Sequence, residues 1–218
     1  MSERRERPAE GILLLGPTGA GKTPLGELLA ERGVWGTRCV HFDFGARLRD
    51  ATRSPAGLCP LTAGELAVVS RALKTGALLD DTQFPIAAKI LKAFLSRHHV
   101  SGEDRVAMNG MPRHAGQARD VDQIVRIRHV VLLDCPPETA WERIRSNAGG
   151  DRGGRADDER EAVTRRVRLY AERTMPLVEW YRERGVPVIS VPVRVETTPA
   201  DAWRVIESRG ALRRVPTR

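Results

Sequence analysis

The stretch that most constrains this chain is Gly16-Pro17-Thr18-Gly19-Ala20-Gly21-Lys22-Thr23, which has the form G-x-x-x-x-G-K-[ST]. The apolar run Ile12-Leu13-Leu14-Leu15 leads into it, and a helical pattern from Leu25 to Glu31 leads out. Strand, glycine loop and helix in that order make an anion cradle. Glycines let successive backbone N–H groups turn inward around a phosphate. The helix that follows aims its positive end at the same anion. In such a loop Lys22 reaches the β- and γ-phosphates and the Thr23 hydroxyl ligates Mg²⁺. Gly16, Pro17, Thr18, Gly19, Ala20, Gly21, Lys22 and Thr23 are therefore the candidate ATP-binding residues, with ATP and Mg²⁺ as cofactors. Pro24 falls in the first helical turn, where a missing N–H costs little. A glycine-rich turn that binds nothing is the competing reading. All four fixed positions of the motif, set between a strand and a helix, weigh against it. The motif points to a nucleoside triphosphate and does not say where its phosphate goes.

The rest of the chain alternates in the same way. Candidate strands are Gly11–Leu15, Cys39–Phe42, Arg105–Met108, Val130–Leu133 and Val186–Val191. Amphipathic stretches lie between them: Leu61–Lys74, Pro85–Leu95, Val121–Arg126, Pro137–Ile144 and Asp158–Glu172. This alternation predicts an α/β fold, a three-layer α/β/α arrangement around a five-stranded parallel sheet covered on both faces. At 218 residues a single domain is expected, its core running over 11–208. In such sheets ligands gather at the carboxyl ends of the strands, so the residues just after each strand carry the next part of the reading.

Composition narrows the setting. No apolar stretch approaches the length of a membrane span. Met1 to Glu10 is charged and lacks an apolar core, so neither a signal peptide nor an anchor is expected there. Cys39, Cys59 and Cys135 are scattered without a C-x-x-C pair, which argues against zinc and for a reducing, cytoplasmic setting. The formal net charge is +8, most of it from arginine. A nucleic-acid surface would use such charge. So would a pocket for small phosphate esters, which arginine forks grip bidentately. No aromatic-interleaved basic stretch or recognition helix is present, so the second reading is preferred, with small nucleotides as partners, no nucleic acid and no membrane.

Nearly every strand end delivers an arginine. Asp43-Phe44-Gly45-Ala46-Arg47-Leu48-Arg49 follows the second strand. Asn109-Gly110-Met111-Pro112-Arg113 follows the third, with Gln117 four residues on. Asp134-Cys135-Pro136-Pro137 and then Arg143 follow the fourth. A Gly-rich loop leads into Arg155-Ala156-Asp157-Asp158, with Arg166 and Tyr170 downstream. With Gly16–Thr23 in front and Thr174 to Tyr181 followed by Gly185 behind, these elements resemble the adenylate kinase and nucleoside monophosphate kinase family in order and spacing, from Gly11 to Ser208.

The resemblance implies a transfer of the γ-phosphoryl group of ATP to a nucleoside monophosphate, AMP first, because Gln117 matches the adenine-selective form. It implies a helical acceptor-binding insert over residues 43–85 and a short lid over 146–158, and a monomer is expected. Arg49 and Arg113 would grip the acceptor phosphate, with Phe44, Gly45 and Gly110 beside it. Gln117 would hydrogen-bond the base, and Gly76, Leu79 and Asp81 would line the pocket near base and ribose. Arg143 would lie against the adenine of ATP. Lys22, Arg113, Arg155 and Arg166 would surround the moving phosphoryl group. Phosphoryl transfer makes the same demand, since it needs two anions held in line and spread charge compensated. A mobile lid must also exclude water.

Three positions depart from the family's pattern. Asn109 stands where an Asp usually supports Mg²⁺, so it is expected beside Thr23 at the metal, and Asn109→Asp is expected to tighten Mg²⁺ binding. Phe44 stands where adenylate kinases usually carry Thr near the acceptor base, and a phenyl ring can only stack or narrow the pocket. Asn147 stands where a lid arginine is usual, with Arg145 and Arg152 nearby. Taken singly, Arg49, Arg143 and Arg166 read as solvated helix-face charges. Two alternatives remain open: a P-loop kinase of the same build on another small acceptor, and a nucleotide-binding regulatory protein with little turnover.

Overall fold

A computed structural model describes residues 8–54, 57, 59, 61–76, 79–150 and 160–210. Five strands form one parallel sheet: β1 (Ala9–Leu15), β2 (Cys39–Asp43), β3 (Arg105–Asn109), β4 (Val125–Asp134) and β5 (Val188–Pro192), in the spatial order β2-β3-β1-β4-β5. The three-layer α/β expectation is met. β1 is central and nearly all buried, as its unbroken apolar run requires of a strand covered on both faces. Its side chains alternate: Leu13 and Leu15 enter one apolar layer, Ile12 and Leu14 the other.

The first layer is completed by α2 (Phe44–Arg53), α3 (Ala63–Thr75), α4 (Phe84–Arg97), α5 (Ala115–Val121) and α8 (Pro176–Arg182). The second rests on α1 (Lys22–Arg32), α6 (Pro137–Arg145) and α9 (Pro199–Gly210). α7 (Arg160–Leu169) runs into a π turn, Tyr170–Thr174, before α8. The helices of this first layer are locally specified. Thr62 and Glu65 form a capping box at the start of α3, and Glu65 is also paired with Lys89 of α4 at 3.1 Å. Asp43 caps α2 by accepting the Ala46 N–H at 2.9 Å.

One expected helix is corrected. Over Val121–Arg126 the structure has the end of α5 and then the start of β4, which begins five residues before the expected Val130. The run Val125-Arg126-Ile127-Arg128 alternates buried and exposed, a period of two, and the Asp122 carboxylate accepts the Ile127 N–H at the turn between the two elements. Cys39, Cys59 and Cys135 are buried free thiols. No helix among the described residues is long and apolar enough to cross a membrane.

Candidate active site

The loop after β1 is shaped by its glycines. Gly19 (φ +87) and Gly21 (φ +94) sit in the left-handed region, and a Cβ on Gly19 would stand 2.5 Å from the Ala140 carbonyl oxygen. Gly21 is the N-cap of α1 and no side chain caps that helix, so its first-turn N–H groups remain available to an anion. The Lys22 ammonium lies across the loop, donating to the carbonyls of Gly16 and Pro17 at 2.7 Å each. Arg166, on α7, reaches the same loop, its Nη1 standing 3.5 Å from the Thr18 hydroxyl.

Beside Lys22, three side chains from three elements close a triangle. Thr23 Oγ1 donates to Asp43 Oδ2 at 2.8 Å. Asn109 Nδ2 donates to the same Oδ2 at 2.8 Å and to Thr23 Oγ1 at 3.1 Å. Asp43 and Asn109 are register partners at the ends of β2 and β3. Burial pushes the Asp43 carboxyl up, but the Ala46 N–H, the Thr23 hydroxyl and the charges of His41 and Arg49 outweigh it and hold it below the ordinary carboxylate range. Among the described residues no group of three or more His, Cys, Asp or Glu side chains is placed to hold a metal. A hydroxyl and one carboxylate, both hard oxygen donors, suit a Mg²⁺ whose other ligands are phosphates and water.

Across the cleft, the loop after β3 presents Gly110 and Arg113, and α2 presents Gly45 and Arg49. The Arg113 Nε donates to the Gly110 carbonyl at 3.1 Å. Burial and, more weakly, the like charge of Arg166 lower the Arg113 pKa, opposed by Asp43. Phe44, Leu48, Leu73 and Leu79 supply an apolar wall. Gln117 is 2% exposed. Its amide is paired at both ends, donating to the Leu79 carbonyl at 2.7 Å and accepting the Arg113 N–H at 3.0 Å. One amide hydrogen and one lone pair remain for a ligand.

Two expected contacts are placed differently. The Asp81 carboxylate does not line the cleft; it stands 3.4 Å from His114 Nδ1 and packs against Gly116. Arg143 is neither solvated nor open to the cleft: it is 3% exposed. Its Nε donates to the Gly19 carbonyl at 3.1 Å, and its Nη1 to those of Arg194, Val195 and Thr197 at 2.7–2.9 Å. Arg155 and most of the expected lid lie outside the described residues. Asp43 is visible in the sequence after β2, but no part in the site is assigned to it there. Leu169, Tyr170 and Thr174 also line the cleft. Of these, Tyr170 and Thr174 carry a sequence signal, as members of the quoted motifs.

Known proteins resemble this chain along most of its length. A family described as AAA domain matches residues 12–164. An adenylate kinase from Prochlorococcus marinus (strain MIT 9211) is 31% identical over 81% of this chain and 86% of its own length. A UMP-CMP kinase from Rattus norvegicus is 25% identical over 91% and 97%. Among solved structures, a shikimate kinase from Acinetobacter baumannii shares the fold, with a TM-score of 0.50 at 18% identity over 95% of this chain and 97% of that one. With a phosphate loop at the end of a central parallel strand, arginines facing it across one cleft, and these relatives along most of its length, the chain belongs to the adenylate kinase and nucleoside monophosphate kinase family of P-loop proteins.

Proposed function

We propose that this chain transfers the γ-phosphoryl group of ATP to a nucleoside monophosphate, with AMP as the preferred acceptor. The observation that carries the reading is one cleft, with Lys22 and Thr23 on its first wall and Arg49, Arg113 and Gln117 on its second. In this reading the α1 N–H groups and Lys22 hold the triphosphate, and Thr23 with the carboxylate beside it holds the metal. A Mg²⁺ held there would supply positive charge to offset that of the phosphates. Arg49 and Arg113 hold the acceptor phosphate in line, and Arg166 compensates charge on the moving oxygens. The acceptor oxygen is already anionic, so no general base is required. Gln117 uses its remaining donor and acceptor on the base, while Phe44 and Leu79 bound it. Arg155 closes the site from the lid, and the protein acts as a single-domain monomer in the cytoplasm.

Gln117 also favours a second reading, a kinase of the same build on another small acceptor. Both ends of its amide already serve the protein, so its burial is accounted for without a base. An acceptor screen with ATP·Mg²⁺ separates the two. AMP is expected to be used better than CMP, UMP or GMP, and Gln117→Ala is expected to flatten that order. If a pyrimidine or guanine monophosphate is used better than AMP, the acceptor assignment fails. If none of the four is phosphorylated, the second reading replaces the first.

A further inference from the structure

We propose that Asp43, at the end of β2, supplies the carboxylate of the Mg²⁺ site, and that Asn109, at the end of β3, positions that carboxylate and does not itself face the metal. The inference rests on the kinase reading above and deepens it. A P-loop hydroxyl that ligates a cation through its oxygen must give its proton to a neighbour, and a carboxylate beside it brings the negative charge the cation needs. Thr23 Oγ1 gives its proton to Asp43 Oδ2 at 2.8 Å. Asn109 turns its Nδ2 donor toward both groups, at 2.8 and 3.1 Å. A donor repels a cation, so the amide is turned the wrong way to serve the metal. It is turned the right way to hold Oδ2, since Asp43 and Asn109 are register partners on adjacent strands.

The opposite end of the carboxylate is fixed as well, because Oδ1 accepts the Ala46 N–H at 2.9 Å. Asp43 is therefore clamped by three donors from the loop helix, the neighbouring strand and its own helix start. The proposal predicts the opposite of the sequence expectation for Asn109→Asp. A carboxylate there would face Asp43 at about the present 2.8 Å, and two like charges so close cannot both remain ionised without cost. A single charge shared between two adjacent strand ends explains why the third strand carries an amide where a second carboxylate would be harmful.

The bland alternative is that Asp43 only caps α2. Asn caps a helix as well as Asp, so Asp43→Asn keeps the cap while removing the charge. The readout is the tightening that Mg²⁺ gives to the affinity of a non-hydrolysable ATP analogue, measured by calorimetry for wild type, Asp43→Asn, Asn109→Asp and the double exchange. Asp43→Asn is expected to reduce the Mg²⁺-dependent gain by roughly 10–100-fold. Asn109→Asp is expected to reduce it too. The double exchange is expected to recover most of the gain, because amide and carboxylate then trade strands and the hydrogen bond between them is kept with its direction reversed. Calorimetric unfolding of each variant reports the fold separately. An undiminished Mg²⁺ gain in Asp43→Asn, or a double exchange no better than the two single ones, overturns the inference and leaves the kinase reading standing. Wild-type protein that binds no analogue overturns both.

Discussion

Arg143 offers the sharpest test of how the ATP side of the cleft is built. The family resemblance puts it against adenine, whereas the structure buries it and ties the phosphate loop, through Gly19, to the segment 194–197 between β5 and α9. Its Nε carries one hydrogen and its Nη1 two, so three donor hydrogens serve four carbonyls. Charge-assisted bonds are worth roughly 1.5 kcal/mol each at the low end, giving about 4.5 kcal/mol. Water entering the space left by Arg143→Ala re-solvates some of the carbonyls, so about 3 kcal/mol of lost stability is expected. For a chain of this size that is a fall in Tm of about 6–12 °C. Urea unfolding and calorimetry measure it directly. Arg143→Lys should recover only a minor part, because one ammonium cannot reach Gly19 and the 194–197 carbonyls together. ATP affinity should fall in both variants as the loop loses its anchor. A variant that unfolds within about 1 kcal/mol of wild type while losing ATP affinity would refute the strut and return Arg143 to the adenine.

Lys22→Ala should lower kcat/KM by at least ~10³, on the order of 4 kcal/mol of transition-state stabilisation; near-normal turnover in a variant that calorimetry shows to be folded would remove the phosphoryl-transfer reading. Arg166→Ala should lower kcat more than it raises KM, and the reverse split in steady-state kinetics would make it a ground-state contact. Asp104 tests the sheet's outer edge. Burial pushes its carboxyl up, but the Ser101 N–H and hydroxyl and the Arg38 guanidinium outweigh burial and hold it below its ordinary 3.8. A carboxyl lowered in the folded state stabilises above its ordinary value and loses that stabilisation as pH falls through the lowered one. Asp104→Asn should therefore lower the urea midpoint at neutral pH, with the gap closing in acid; a gap constant across that range would show that the charge is not what stabilises.

The sheet is legible because its signals are local. β1 announces itself by an unbroken apolar run before a glycine loop, and α3 by the amphipathic pattern of Leu61–Lys74. The start of β4 is hidden because Val125-Arg126-Ile127-Arg128 is half-charged. The strand's exposed side chains there are arginines, one of them paired with Glu10 of β1 at 3.0 Å. A charged alternation beside a short helix looks amphipathic at either period until the neighbouring strand is known. Helix α2 escapes sequence reading for a related reason. It is largely polar along its length, and its start is set by a cap from the preceding strand, Asp43.

The proposed site is legible where one residue type does one thing in one place, as for Lys22 and Thr23. It is not legible where the function belongs to a pair. Asn109 looks like a loss when compared with its own position alone, because a missing carboxylate on the third strand leaves no trace of compensation elsewhere in the linear order. The compensation we propose, Asp43, lies 66 residues away on β2 and becomes visible only when β2 and β3 are laid side by side in register. Nothing in Asp43-Phe44-Gly45 distinguishes a metal carboxylate from a helix cap, since the same side chain can do both with its two oxygens. Parallel sheets permit this substitution freely. Every strand ends on the same edge, so a charge can move to a neighbouring strand, about 4.8 Å away, and still face the same phosphate. On the proposal above, what must be preserved is one negative charge beside the Thr23 hydroxyl, which either of two strands could carry provided the other carries a neutral donor.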